Sequence, residues 1–230
     1  MAGAYGLAHD DAEGRGEGDG TAARWEWRIF GESLPLPATP RLQVQPPEPV
    51  VNESYLLSAR SIQNVKLRGN AVDIKLLDAV EAGGLERWRP AGHFVFPLGP
   101  AHIACIQEAL GVIIPLRLGY PLDRERFIRA LGSLEPAVTL ATVTKLRTRF
   151  TLAACEGELV EVTVNGKRLV SLALEDTNPG YMTTAIRMIG APDAVNLNYP
   201  RFLKALLGIR DLHDSTPSAE PLELARTHAA

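Results

Sequence analysis

The sequence predicts an α+β fold in which antiparallel strands close into a barrel and helices cover its outside. Two hairpins, each with a tight turn between alternating strands, indicate antiparallel pairing. The strands have one apolar face and one charged face, and other segments carry apolar residues at helical spacing. Because inward and outward positions alternate along every strand of a barrel, helices can cover an apolar outside while charged residues line the interior.

The composition is that of a folded globular protein with one domain. The chain has 230 residues, of which 46% are hydrophobic and 22% charged. Residues 1–23 are rich in Gly, Ala, Asp and Glu and offer little to bury, so we expect a disordered leader there. A similar composition predicts a disordered tail over 213–230, which leaves 24–212 as the folded domain.

The net charge and the cysteines indicate in which compartment the protein works and which classes of partner it does not attract. A formal charge of -3 provides no general attraction to duplex nucleic acid or to an anionic membrane, and no apolar run reaches the length of a membrane span. Cys105 and Cys155 lie in no CxxC motif, so we expect them to be reduced and buried. The chain is therefore predicted to be cytoplasmic, with a homodimer left open.

The first half of the chain is predicted to be mostly strands. A strand over 24–30 alternates Trp25, Trp27 and Ile29 with polar residues, and a Pro-rich connection over 34–49 follows it. Another strand covers 53–58. Gly69-Asn70 then forms the turn of a hairpin over 64–75. After a loop at Gly83-Gly84, the segment 85–90 carries two further arginines at a spacing of two.

The second half of the chain is predicted to contain both helices and strands. Helices are predicted over 101–110, 123–131, 181–189 and 199–207, the last packing outside the barrel, and 112–116 is left unassigned. A strand over 138–152 places three basic residues on one face: Lys145, Arg147 and Arg149. The Asn165-Gly166 turn joins the strands of the second hairpin, over 158–175.

The recurrence of charge on one face favours an anion site. A single charged hairpin is more simply explained by solvated side chains, but here several strands share the pattern. In a closed barrel, basic residues on several strands would grip several phosphoryl groups at once. Carboxylates on the same wall would hold Mg²⁺ or Mn²⁺, which prefer oxygen ligands.

The order of these motifs resembles the CYTH, or triphosphate tunnel metalloenzyme, family between about residues 24 and 208. The similar motifs are Glu26 on the first strand, Glu53-Ser-Tyr-Leu, Lys66-x-Arg68, Asp73-x-Lys75, Lys145-x-Arg147-x-Arg149, Ala173-Leu-Glu175 and Asn198-Tyr199. The resemblance implies an eight-stranded antiparallel tunnel, a divalent metal and a substrate with a triphosphate. Such substrates include inorganic triphosphate, thiamine triphosphate, an RNA 5′ end, or ATP in the cyclase branch.

The resemblance also implies roles for single residues. Glu26 and Glu175 are assigned to catalysis, and Glu26, Glu161 and Glu175 to metal binding, with Glu158 as the alternative to Glu161. Phosphate binding falls to the basic residues Arg28, Lys66, Arg68, Lys75, Lys145, Arg147 and Arg149. The chain departs from the family at Arg28 and Ala173, which stand where the family carries glutamates.

Three functions follow from this resemblance. The first is a Mg²⁺- or Mn²⁺-dependent phosphohydrolase that acts on a triphosphate or short polyphosphate. The second is a tunnel with impaired catalysis that binds or senses polyphosphate or a nucleotide, because the two departures reduce the carboxylates available to a metal. The third is a class IV-type adenylyl cyclase.

Overall fold

The computed structural model describes residues 22–81, 83–115 and 119–212. The strands are β1 (Arg24–Gly31), β2 (Leu42–Val44), β3 (Val51–Ser58), β4 (Asn64–Arg68), β5 (Ala71–Val80), β6 (Glu86–Val95), β7 (Val138–Leu152), β8 (Cys155–Val164) and β9 (Lys167–Asp176). The helices are α1 (Pro100–Leu110), α2 (Arg124–Gly132), α3 (Pro179–Ile189) and α4 (Tyr199–Leu207). The predicted tail and nearly all of the predicted leader lie outside the described residues.

Eight of these strands form a closed antiparallel barrel. The order along the sheet is β2-β7-β3-β4-β5-β6-β1-β9-β8, and an additional pairing of β8 with β7 closes the ring. The short β2 lies outside the ring of eight and pairs with the end of β7, where Leu42 faces Leu152. The predicted fold class, an antiparallel eight-stranded barrel with helices on its outside, is confirmed.

The two hairpin turns have the conformations that their residues favour. Gly69 has a φ of 56°, and Asn165 and Gly166 have φ values of 49° and 77°. In the second turn both central residues, Asn165 and Gly166, have positive φ. This is the signature of a type I′ turn, whose twist matches that of the flanking strands. The local sequence therefore sets the register of β8 against β9, in which Val164 faces Lys167.

Two apolar clusters bind helices to the outer face of the barrel. The first joins Ile103 and Ile106 of α1 and Phe127 of α2 to Val65 and Val72 on the sheet. The second packs α3 against β1 and β9 through Met182, Ala185, Trp27, Ile29 and Leu172. The outward positions of these strands alternate with the charged ones, as the sequence pattern predicts.

The third apolar cluster lies at one end of the barrel, where α4 closes it. Phe202 of α4 stacks on Phe30 with ring centroids 3.7 Å apart, and Tyr199 stacks on Tyr55 at 5.2 Å. Phe30 and Tyr55 occupy inward positions, in line with Arg28 and Glu53. The cluster also contains the inward-facing valines of β8 and β7, namely Val143, Val160, Val162 and Val164. Sequence alternation alone did not reveal that the interior is apolar at this end.

The two cysteines differ in exposure. Cys155 is buried, as predicted, whereas Cys105 is exposed on α1, so the prediction that both are buried is wrong for Cys105. Cys105 precedes Ile106, which faces the sheet, so the helical period turns it to the outside. None of the helices in the described part of the chain is long and apolar enough to cross a membrane.

Candidate functional site

A cavity of about 360 Å³ lies inside the barrel and is lined by inward-facing side chains. It brings together nine of the ten residues to which the resemblance assigns a role: Glu26, Arg28, Lys66, Arg68, Lys75, Lys145, Arg147, Arg149 and Glu175. They come from β1, β4, β5, β7 and β9, so residues far apart in sequence meet in one chamber.

Glu161, the tenth residue, is placed elsewhere. Its side chain is exposed and does not line the cavity, so the assignment of Glu161 as a metal ligand beside Glu26 and Glu175 is wrong. The physical reason is strand alternation: Glu161 is three residues from the inward Glu158 and therefore points to the other face. Glu158 is the glutamate of β8 that faces the interior.

A buried charge network lies beside α4. The carboxylate of Glu53 accepts a hydrogen bond from Lys145 Nζ at 2.6 Å and another from Lys66 Nζ at 3.2 Å. Lys145 Nζ also donates to Tyr55 Oη at 2.7 Å and lies 3.7 Å from the ring centroid of Tyr199. Burial lowers the pKa of Lys145 to about 7, despite the nearby Glu53. Burial alone would raise the pKa of Glu53, but the two lysines hold it far below its usual range.

A second network crosses the chamber from β1 to β8. Arg28 donates to Glu158 at 2.6 Å and to Ser171 at 2.7 Å, and its guanidinium lies 4.6 Å from the ring centroid of Tyr199. Arg147 Nε is 2.7 Å from the other Glu158 oxygen. Burial opposes ionisation of Glu158, yet these two arginines lower its pKa to about 2. Glu158 is thus a fixed anion that orients two guanidinium groups.

The carboxylates assigned to catalysis meet near the N-terminal end of β1. Glu26 forms an ion pair with Lys75, and Glu175 lies 3.5 Å from Arg24 Nη1. Glu26 and Glu175 also face each other across the β1–β9 register. Burial and repulsion by Glu26 raise the pKa of Glu175, although Lys75 and Arg24 oppose this rise.

The open end of the chamber is ringed by more exposed pairs. Asp73 lies 2.9 Å from Arg68 and 2.6 Å from His93 Nδ1. Arg149 forms an ion pair with Glu48, which also lies 3.2 Å from Arg147. Glu48 belongs to the Pro-rich connection, and its backbone nitrogen donates to Arg147 O at 2.7 Å. This segment therefore lies against β7 and supplies a carboxylate to the site.

Asparagines at the closed end hold α4 against the barrel. Asn198 caps α4 by accepting from Arg201 N at 2.9 Å, and its amide donates to both oxygens of buried Glu86. Glu86 also accepts from Trp88 Nε1 at 3.0 Å, and burial raises the pKa of this carboxyl. Asn196 bonds to the backbone of Arg28 and Gly84, which fixes the chain just before the helix.

The carboxylates do not fit a resident metal ion. Glu26 and Glu175 are each engaged by a cation, Arg28 lies beside them, and Ala173 offers no ligand. Among residues 22–81, 83–115 and 119–212, no three His, Cys, Asp or Glu side chains form a group that could hold a metal. These carboxylates therefore provide no preformed site for a metal ahead of the ligand.

Sequence reasoning missed several residues that shape the chamber. Glu53 and Tyr55 were part of a motif, but no role was assigned to them, although their spacing of two places them on one face of β3. His93 also lines the cavity, but the sequence shows no partner for it at short spacing. Its partner Asp73 is on the neighbouring strand, directly opposite in the β5–β6 register. Glu48 carried no signal, because it lies in an irregular segment.

The fold and the chamber define a class: a closed antiparallel barrel with an internal cavity lined by basic and acidic side chains. No model of a known protein family matches the sequence, and no curated protein matches it. Several solved structures are similar to it, among them the following two at low sequence identity. One, from Bacillus halodurans, is provisionally described as an adenylate cyclase, with 11% identity, a TM-score of 0.36, and coverage of 65% of this chain and 79% of that chain.

The second similar structure comes from Hippeastrum. It is described as a provisional adenylyl cyclase with a dominant triphosphatase activity. Its identity to this chain is 11% and its TM-score 0.35, over 73% of this chain and 88% of that chain. At these values neither structure adds to the case for a particular activity of this chain.

Proposed function

We propose that this chain binds a triphosphate or a short polyphosphate inside its barrel, as the complex with Mg²⁺ or Mn²⁺. The observation that carries the proposal is the set of seven Lys and Arg side chains that four strands direct into one cavity. Their spacing around the wall suits an anion with several phosphoryl groups, and arginines can bind such groups bidentately. The cavity volume lies within the range of small-molecule sites.

The ligand is proposed to arrive with its metal because the chamber is nearly neutral. Six Asp and Glu side chains line the cavity beside the seven basic ones, and each basic residue contacts a carboxylate. A bare anion would have to displace carboxylates from these pairs. A metal–triphosphate complex carries both signs, so the released carboxylates regain a cation when the basic groups turn to phosphate.

Calorimetric titration with linear inorganic triphosphate tests this proposal. We expect binding that is tighter with Mg²⁺ or Mn²⁺ than with a chelator present. Arg147→Gln should weaken it at least tenfold, because a charge-assisted contact is worth about 1.5–3 kcal/mol. Arg168→Gln is the matched control, since Arg168 is exposed on the outer face of β9. Equal losses in both variants, or no binding with either metal, would refute the proposal.

Hydrolysis of the bound triphosphate is the second candidate, and Lys145 is the observation that favours it. A buried amine with a pKa of about 7 can accept a proton near neutral pH, which an ordinary lysine cannot. Lys145 would take the proton of a water that attacks the terminal phosphorus as the anhydride P–O bond breaks. Tyr55 and Glu53 hold its Nζ in place.

Release of phosphate from triphosphate tests the second candidate. We expect turnover by the wild type with Mg²⁺ or Mn²⁺, and a loss of at least a hundredfold in Lys145→Met, the size typical of a general base. Glu175→Ala tests the carboxylate assigned by resemblance. Tight binding of triphosphate without turnover would exclude hydrolysis and leave the binding function.

A further inference from the structure

We propose that the cavity admits phosphate chains from one end only and therefore recognises a free chain terminus, excluding internal segments of a polyphosphate. This inference rests on the proposed function and specifies its ligand. It is carried by the closure of one barrel end by α4 and by the order in which the basic residues line the chamber.

The closed end cannot pass an anion. Behind Tyr199 the interior is filled by apolar side chains of the barrel and of α4, including Phe30, Val160, Phe202 and Leu203, each at most 2% exposed. A phosphoryl group that continued along the barrel axis would have to enter this cluster without a counter-charge, at prohibitive cost. α4 is held there by Asn198 on Glu86 and by Lys204, whose Nζ donates to Ser61 O at 2.6 Å.

The exposure of the basic side chains increases from the closed end of the chamber, which we call the floor, to the open end. The side chain of Lys145 is 2% exposed, those of Arg28 and Arg147 are 13% exposed, and those of Arg149 and Arg68 are 47% and 53% exposed. The deepest cations are thus the most desolvated ones, where an electrostatic contact is strongest.

A terminal phosphoryl group fits this gradient better than an internal one. It carries about two negative charges near neutral pH, against about one for each internal group. At the floor, Lys145 and Arg28 both contact the ring of Tyr199. Arg147 shares the carboxylate of Glu158 with Arg28. The terminus therefore seats at the floor, and the next phosphates, or the group they carry, point towards Arg68 and His93 at the open end.

The number of protein molecules bound per phosphate chain tests this inference. Linear polyphosphates of two defined lengths, one several times longer than the other, are mixed with an excess of the full chain in the presence of Mg²⁺. The mass of the complexes is then measured by light scattering or sedimentation. Because a linear chain has two termini, we expect at most two proteins per chain at both lengths. A number that rises in proportion to the length overturns the inference.

A polyphosphate of the same length with both termini blocked is the control ligand. When both terminal phosphates carry a bulky amine as a phosphoramidate, we expect at least a hundredfold weaker binding, whereas equal affinity overturns the inference. Arg147→Gln should weaken end binding at least tenfold and Arg168→Gln should leave it unchanged, which excludes attraction to the outer surface. If linear triphosphate itself does not bind, the proposed function fails; if it binds but blocked chains bind equally, only the present inference fails.

Discussion

The residue with the greatest energetic consequence is Glu53, a carboxylate buried to 1% exposure between two lysines. Taking such charges out of water is costly, and the attraction between them offsets that cost only while the pairing is complete. Tyr55 Oη also donates to Glu53, at 3.2 Å, so the group is held from several sides. The same network sets the charge of the chamber floor.

Removing one partner of this network should destabilise the fold strongly. Lys145→Met leaves Glu53 with Lys66 alone, and we expect the free energy of unfolding to fall by about 3 kcal/mol. The double variant Glu53→Gln with Lys145→Met should lose less than the sum of the two single variants, because the loss of the Glu53–Lys145 pair is counted in both single variants; Lys66 loses its Glu53 contact in the double variant too. Urea denaturation of the four proteins measures this cycle; strictly additive losses would show that the pair is not coupled.

The depressed pKa of Lys145 also predicts how ligand affinity depends on pH. Below a pH of about 7 Lys145 is charged and attracts the terminal phosphoryl group, and above it the charge is lost. We expect triphosphate affinity to fall as the pH rises through this value. His93 also lines the cavity, so His93→Gln is the control. If the step disappears in that variant, it arises from His93 and not from Lys145.

The lowered pKa of Lys145 also makes the stability of the fold depend on pH. Ligand affinity should fall as the pH rises, whereas the contribution of Lys145 to stability should increase. The folded pKa of Lys145 is below the value of a free lysine, so between about 7 and 10.4 the unfolded chain binds more protons than the folded one. The contribution of Lys145 to stability therefore improves as the pH rises through this window. Below it, the fold bears the full cost of burying the charged amine.

At the scale of elements, α4 is the helix that converts a barrel into a chamber with one opening. Its apolar side chains Phe202 and Leu203 fill the barrel end, and its first residue, Tyr199, forms the floor. The N-cap residue Asn198 has two tasks, because it also satisfies the buried carboxylate of Glu86. The helix cap and the position of the floor are therefore coupled.

This coupling predicts unequal effects for two helix caps of the same residue type. Asn198→Ala removes the cap of α4 and leaves Glu86 with fewer donors, so we expect a loss of about 2–4 kcal/mol in unfolding free energy. Asn178 caps α3 by accepting from Gly180 N at 2.8 Å in an exposed setting, and Asn178→Ala should cost only about 1 kcal/mol. Equal losses, measured by thermal or urea denaturation, would contradict the role of Glu86.

At the scale of the whole molecule, the apolar cores and the chamber lie on different sides of the same sheet. Two clusters are outside the barrel, under α1 and α2 and under α3, while the third closes its end. The interior between them is lined by charged groups from seven strands and by the asparagines Asn196 and Asn198 of the segment before α4. A ligand that neutralises these groups contacts most of the barrel wall, so its binding energy should stabilise the entire fold.

Ligand binding should accordingly raise the temperature of unfolding. At a free concentration of 100 times Kd, a ligand that binds only the folded state adds about 2.7 kcal/mol. For a domain of this size we expect an increase in Tm of roughly 5–10 °C with Mg²⁺ and triphosphate. At the same ligand concentration Arg168→Gln should show the same increase, and Arg147→Gln, with a Kd at least tenfold higher, about half of it or less. An increase that is equal in both variants would place the ligand outside the chamber.

The sequence predicted much of the fold and most of the wall of the chamber for local reasons. Turn residues such as Asn165-Gly166 specify a hairpin, and a spacing of two places Lys145, Arg147 and Arg149 on one face whatever the rest of the chain does. The same rule places Glu161 on the face opposite to Glu158, three residues away, and the assignment of Glu161 as a metal ligand did not respect it. Residues outside regular strands, such as Glu48, carry no periodic signal.

What the sequence by itself determined is therefore the strands, their turns and the sharing of faces, because these depend on neighbours a few residues away. The tertiary structure alone decided which charges pair and which end of the barrel is closed. Glu53 meets Lys145 across 92 positions, and Glu86 meets Asn198 across 112. Such contacts depend on barrel closure and on the docking of α4, which are global properties of the packed chain.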